Sequence, residues 1–209
     1  MKFTFISDTH SLHDRLALDS GDMLIHCGDL TNKGSLEDVE SFANFIGKQD
    51  FRHKIVIAGN HDFCFEDDRA NEAEQILKEQ EIIYLNDSGI EIEGFKIWGS
   101  PIQPQFFNWA FNRNRGADIS AHWDQIPDDT DILITHGPAF GILDRVMEGE
   151  KVGCRDLLDR VKQIKPKIHA FGHIHEDYGI LEREGTIFVN ACNVDRSYRL
   201  VNPPVSVRL

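Results

Sequence analysis

"IHAFGHIHEDYGI", residues 168–180, begins as an apolar run of strand length, stops at Gly172, and then sets His173 and His175 on either side of one isoleucine. In a strand, residues two apart point to the same face, so a strand end of this kind offers two imidazoles to one site. Two imidazoles on one side suggest a metal. H-x-H arises by chance about half a time in a chain of this length, so the remaining ligands have to be found elsewhere in the sequence.

Four earlier runs are built the same way: "KFTFISDTH" (2–10), "DMLIHCGD" (22–29), "KIVIAGNHD" (54–62) and "DILITHGP" (131–138). Runs apolar on both faces suit buried sheets, and each of these ends in polar residues. Between them, "SLEDVESFANFIGK" (35–48) reads as a helix, with Leu36, Val39, Phe42, Phe45 and Ile46 on one face and Ser35 and Asp38 at N-cap and N3 spacing. Residues 67–80 and 153–164 read likewise, the latter stopped ahead of Pro166. Residues 89–100 alternate around Glu93-Gly94 as a hairpin does, and 186–191 and 205–209 read as closing strands. Strands alternating with helices, then a hairpin, then α/β again predict two packed sheets flanked by helices. With no linker, low-complexity tract or repeat in 209 residues, one domain spanning 1–209 is expected.

Composition narrows the function. At 41% hydrophobic and 27% charged the chain is globular, and it lacks the long apolar run of a membrane span. A net charge of −13 argues against long nucleic acids and anionic membranes as partners, which require a basic footprint. The N-terminus passes from Met1 straight into a strand-like run without the parts of a signal peptide, so a cytoplasmic location is expected. Cys27, Cys64, Cys154 and Cys192 are scattered and form no C-x-x-C, which points to buried free thiols.

The polar strand ends supply Asp8-x-His10, Gly28-Asp29, Gly59-Asn60-His61-Asp62, His136-Gly137 and Gly172-His173-x-His175. All donors are oxygen or imidazole nitrogen, which suits Mn²⁺, Fe, Zn²⁺, Co²⁺ or Ni²⁺. There are too many for one ion, so two are expected. Singly, each has an ordinary reading: a strand-end turn for Asp8-x-His10, caps for Asp29 and Asp62, a satisfied core histidine for His136. The glycines that stand beside ligands, Gly28, Gly59, Gly137 and Gly172, fit tight turns where backbone crowds the site.

In order and spacing these blocks resemble the D-x-H, G-D, G-N-H-D/E, H and G-H-x-H blocks of the calcineurin-like metallophosphoesterases, over nearly the whole chain. "SDTH", "GSPIQPQFFNWAF", "THGP", "VGC", "FGHIHEDYG" and "NPP" resemble more narrowly the metallophosphoesterase-domain-containing subfamily, whose animal members are metal-dependent cyclic-nucleotide phosphodiesterases. The resemblance implies a four-layer α/β/β/α sandwich with two mixed sheets. It implies that Asp8, His10 and His175 hold one ion, that Asn60, His136 and His173 hold another, and that Asp29 bridges them. His173 and His175 would then serve one ion each. It also implies hydrolysis of a small phosphoester, with 3′,5′-cyclic nucleotides favoured and Mn²⁺ the favoured metal. Two ions roughly 3.5–4 Å apart would activate a shared hydroxide and clamp the phosphoryl oxygens. Against the charges of Asp8, Asp29 and that hydroxide, the ions leave the inner shell net positive, so a small anion would be attracted despite the acidic surface.

The family pattern sets His61 on the substrate side, as donor to a phosphoryl oxygen or acid for the leaving group. Many relatives carry an acidic residue three positions after the bridging aspartate. Here Asn32 stands there, and its amide would orient His61 without stabilising the imidazolium with a full charge. His13, His26, His53, His122 and His169 match no family position, and His26 and His169 read as core residues. Asn190 reads either as a support for the site or as an edge-strand turn. "FFNWAFNRNRG" (106–116) has two readings. It is a loop packing its rings on the core, or a wall where Phe107, Trp109 or Phe111 stacks a nucleobase and Arg113 or Arg115 meets phosphate or sugar. Asn60, His61, Phe107, Trp109 and Arg113 are the substrate-binding candidates. A broad mono- and diesterase and a metal-loaded nucleotide-binding protein with little turnover are the competing functions.

Overall fold

Met23, Ile25 and Cys27 alternate with Leu24 and His26 along one strand, and the two sets are buried against different layers. That alternation organises the computed structural model, which describes residues 1–209. Strands β1 (Lys2–Ile6), β2 (Gly21–Cys27), β3 (Phe51–Ile57) and β4 (Ile83–Tyr84) run parallel, and the last strand of the chain, β13 (Val205–Arg208), joins β1 antiparallel. The sheet order is β13-β1-β2-β3-β4.

The second sheet is built from β5 (Ser88–Ile92), β6 (Phe95–Ser100), β9 (Ile132–Thr135), β10 (Ile168–Phe171), β11 (Gly179–Arg183) and β12 (Thr186–Asn190), in the order β11-β12-β10-β9-β6-β5. Its four central strands are parallel and both edges antiparallel. β5 and β6 form the hairpin expected at Glu93-Gly94. Two short strands, β7 (Gln103–Pro104) and β8 (Asn112–Arg113), bracket the aromatic loop.

The sheets pack face to face. Phe3, Phe5, Met23, Ile25 and Ile55 of one meet Ile97, Ile132, Ile134, Ile168 and Val189 of the other. The outer faces are covered by helices α1 (Leu36–Gly47) and α2 (Ala70–Glu79) on one side, and α3 (Ala117–Trp123) and α4 (Arg155–Ile164) on the other. The result is the four-layer α/β/β/α sandwich. In α1, Ser35 Oγ accepts from the Asp38 N–H at 3.1 Å, the cap its sequence announces. α4 starts at Cys154, whose Sγ accepts from the Leu157 N–H at 3.4 Å, and ends at Lys165 in the left-handed region (φ 47°) ahead of Pro166. No helix is long and apolar enough to cross a membrane.

One local expectation is corrected. β10 stops at Phe171, so His173 and His175 lie in the loop beyond it and share no strand face. His173 takes φ 68°, which turns the chain between the two histidines.

Candidate metal centre

The loops leaving the carboxyl ends of β1, β2 and β3 meet those leaving β9 and β10, where parallel sheets open for ligands. They are laced by main-chain bonds: Asp8 N–H to Gly28 O at 2.9 Å, His10 N–H to Asp29 O at 3.0 Å and Gly172 N–H to His136 O at 2.9 Å. Asp8, His10, Asp29 and His173 all have φ between 42° and 68°, a region costly for side-chain-bearing residues and concentrated at functional sites. Crowding explains three of the flanking glycines. A Cβ on Gly28 would stand 2.6 Å from His136 Nδ1, on Gly59 2.3 Å from Asp29 Oδ1, and on Gly172 2.0 Å from Asp8 Oδ2. Gly137 does not follow that expectation: a Cβ there meets nothing closer than 4.0 Å.

Donor atoms of Asp8, His10 and His175 fall within 4.8 Å of one another, as do those of Asp8, Asp29 and His136, and those of His10, Asp29 and His61. Asn60 Oδ1 lies 2.9 Å from His136 Nε2, and the His173 ring stands 5.0 Å from that of His136. The two histidines of the H-x-H motif therefore part, His175 toward Asp8 (3.4 Å) and His173 toward His136.

Three of the imidazoles are oriented in one manner. Nδ1–H of His136 donates to Cys27 O at 2.9 Å, that of His175 to Asp195 O at 3.2 Å, and that of His61 to Asn32 O at 2.8 Å. A carbonyl accepts only from N–H, so in each ring Nε2 is left to face the centre. The Asn32 expectation is thereby corrected: its main-chain carbonyl, not its amide, holds His61.

This arrangement fits bound cations. Nε2 of His136 faces two further oxygens, Asn60 Oδ1 at 2.9 Å and Asp29 Oδ1 at 3.5 Å. His10 is 1% exposed and neither of its ring nitrogens has a hydrogen-bond partner. Burying such a group unpaired costs roughly 1–3 kcal/mol, and a metal relieves that cost at the nitrogen it binds.

The electrostatics agree. Burial would raise Asp8, but the hydrogen bond from His175 and the neighbouring His136, His175 and His10 hold its carboxyl well below the usual range. Asp29 is held down against its burial by His136, His10 and His61. Burial lowers His10, and it lowers His173 to about 3, with His136 adding to the effect. Burial also opposes charge on His136, yet Asp29 lifts it to about 9. Burial raises the Cys27 and Cys192 thiols, and neither sulfur belongs to the clusters of donor atoms.

The centre opens into a cleft of about 690 Å³ lined by Asn60, His61, Phe106, Trp109, Arg115, His173, His175 and Tyr198, among others. Trp109 stacks on His61 at 4.2 Å and 27°. Phe107 departs from its expected place: it is 74% exposed and lines a shallow apolar surface beside the cleft. Phe111 is buried in the core. Arg113 also departs. Its guanidinium donates to Glu66 Oε1 at 3.2 Å, Asn112 O at 2.8 Å and His122 Nε2 at 3.1 Å, and it lies outside the cleft, whereas Arg115 lines it.

Three further side chains support the ligand loops. Asp62, buried, accepts from the N–H groups of Leu30, Thr31 and Gly59 and so joins two ligand loops. Asn193 Oδ1 accepts from Ser7 N–H at 3.1 Å, next to Asp8. Asn190, buried, donates to Ile174 O at 2.8 Å, between the two histidines, which favours the supporting role over the edge turn. Of the three only Asn193 went unmarked in the sequence, and only its amide close to the last motif blocks could have signalled it.

Comparison with known proteins agrees with this geometry. Residues 1–177 match the family model described as calcineurin-like phosphoesterase. Metallophosphoesterase domain-containing protein 1 of Homo sapiens is 39% identical over 232 residues, covering 100% of this chain and 71% of its own length. A UPF0046 protein of Caenorhabditis elegans is 35% identical over 216 residues, covering 98% of this chain and 74% of its own. Among solved structures, TT1561 of Thermus thermophilus superposes with a TM-score of 0.63 at 11% identity, over 99% of this chain and 97% of its own, a likeness of fold.

Proposed function

This chain belongs to the calcineurin-like phosphoesterase family, metal-dependent phosphoric ester hydrolases, and on that footing we propose that it hydrolyses small phosphodiesters at a two-ion centre, with 3′,5′-cyclic nucleotides the favoured class. Asp8, His10 and His175 would hold one divalent ion, Asn60, His136 and His173 the other, with Asp29 between them. Mn²⁺ is the favoured metal. The observation that carries the reading is His10, buried with both ring nitrogens unpartnered against the carboxylates of Asp8 and Asp29. When bound, the ions supply an activated water and a clamp on the phosphoryl oxygens.

The remaining chemistry is assigned to the chain's own groups. With Nδ1–H fixed on Asn32 O, His61 offers Nε2 to the cleft, 4.0 Å from Asp29 Oδ2. Protonated there, it donates to the oxygen of the departing ester group, a contribution of about 10²–10⁴-fold. Trp109, stacked on the ring, holds its plane and covers it from solvent. The depressed carboxyls of Asp8 and Asp29 remain ionised at neutral pH, while His136, lifted to about 9 beside Asp29, would give up a proton to an incoming ion.

The test is turnover of an aryl phosphodiester, an aryl phosphomonoester, cyclic AMP, cyclic GMP and AMP after metal removal and Mn²⁺ reconstitution, with metal content measured alongside. Turnover of cyclic nucleotides and the diester is expected, lost in His173→Ala. It should be at least about 100-fold lower in His61→Ala with both ions retained. Monoester turnover exceeding that of diesters would replace this reading with a phosphomonoesterase. No turnover with two ions bound per chain would overturn it.

A further inference from the structure

Tyr198 stands in the turn before the last strand, beyond the residues that carry the motif blocks and beyond the family match at 1–177. Its ring is 45% exposed, yet the turn beneath it is locked. Asp195 Oδ1 accepts from the N–H groups of Ser197 and Arg199 at 2.9 and 3.0 Å, and Oδ2 accepts from Arg199 Nε at 2.8 Å. Asp195 O accepts from Tyr198 N–H at 2.8 Å, and the same carbonyl orients His175. Tyr198 itself takes φ 56°, a conformation that costs a tyrosine free energy. What the turn achieves is to place the ring edge-on to His10 at 4.7 Å and to His175 at 5.5 Å.

At the other end of the cluster Phe106 is 51% exposed, its ring perpendicular to that of His173 at 6.2 Å. Both rings line the cleft. Large aromatic rings fixed and left wet on either flank of a polar centre mark a binding surface. A phosphoryl group at the centre would meet Tyr198 on the side of His10 and His175 and Phe106 on the side of His173.

We propose that Tyr198 is a substrate-binding residue which, with Phe106, forms an aromatic clasp selecting phosphodiesters that carry flat rings, whether an aryl ester group or a nucleobase. The clasp rests on the phosphodiesterase reading. It concerns specificity, and the contact is made by the face and edge of the ring, not by the hydroxyl. Ring-on-ring contact of this kind changes affinity by roughly 3- to 10-fold.

Two diesters with one leaving group decide it: bis(4-nitrophenyl) phosphate and methyl 4-nitrophenyl phosphate, hydrolysed by the Mn²⁺-loaded chain. Tyr198→Ala and Phe106→Ala are each expected to lower the ratio of kcat/KM for the two-ring over the one-ring ester by about 3- to 10-fold, through KM, at unchanged metal content. Tyr198→Phe should keep the wild-type ratio. An unchanged ratio in Tyr198→Ala, or an equal fall for both esters, overturns the clasp. A second readout needs no turnover: calorimetric Kd of phenylphosphonate against methylphosphonate, where Tyr198→Ala should erase the preference for the ring. If the wild type hydrolyses neither these diesters nor the cyclic nucleotides, the phosphodiesterase reading fails, and the phosphonate pair still decides the clasp.

Discussion

A Cβ at Gly172 would stand 2.0 Å from Asp8 Oδ2 and 2.1 Å from Ser7 Oγ, inside both groups. Gly172→Ala must therefore push Asp8 from its place, and the same change at Gly137 need push nothing. Gly172→Ala is expected to lose about 1–3 kcal/mol of stability and most of its bound metal, while Gly137→Ala keeps both, as read by urea titration and metal analysis. Equal metal content in the two variants would refute the crowding account. At this scale the ligand types were legible because a strand end carries chemistry in its residue names, and the crowding was not, because it depends on what folds opposite. The same limit separates His173 from His175: the H-x-H spacing was legible, but β10 ends before them, and a φ of 68° at His173 parts them, His175 toward Asp8 and His173 toward His136. Arg113 illustrates it again, since its partner Glu66 is 47 residues away in the chain.

The strands themselves were legible from their apolar runs, and α1 from its cap, whereas α3 and β11 were missed. α3 is seven residues long with only Ile119 and Trp123 buried, and β11 is an exposed edge, so neither leaves much pattern to read. Two strands carry a histidine inside the fold. His26 Nδ1 accepts the Gly28 N–H at 3.2 Å, so a proton there would set donor against donor. His169 Nε2–H donates to Thr135 Oγ1 at 2.8 Å, and its Nδ1 has no partner. Burial lowers both from 6.5 to about 3. The unfolded chain takes up these protons near pH 6.5 and the folded chain only near 3, so stability is lost as pH falls between those values. Each histidine adds up to about 1.4 kcal/mol per pH unit to that slope. His169→Gln, which retains a donor for Thr135, is expected to reduce the acid slope by about that amount in urea titrations across the window. An unaltered slope would show that His169 is already charged in the fold.

At the scale of the whole molecule, the centre is where the two sheets meet. Asp8 and Asp29 come from one and His136 and His173 from the other, so ions held there tie the layers together. Free metal at 100 times its Kd would stabilise the fold by about 2.7 kcal/mol. Chelation should accordingly lower Tm, and Mn²⁺ should restore it; an unchanged Tm after verified loss of the ions would uncouple the centre from the fold. Five ordered motif blocks made the architecture and the ligand set legible, because each block sits at the end of a strand the apolar pattern already marks. The turn that presents Tyr198 had no such marker, and only the fold brings it over His10. The three carbonyls of Cys27, Asn32 and Asp195 carry one more lesson, in heredity rather than chemistry. Each is an atom every amino acid possesses, so codon 32 can drift without erasing the group that aims His61, whereas Cys27 is packed in the core and the Asp195 side chain locks its own turn. A saturation scan would score position 32 as tolerant, and that tolerance would reflect how securely the aim of His61 is inherited.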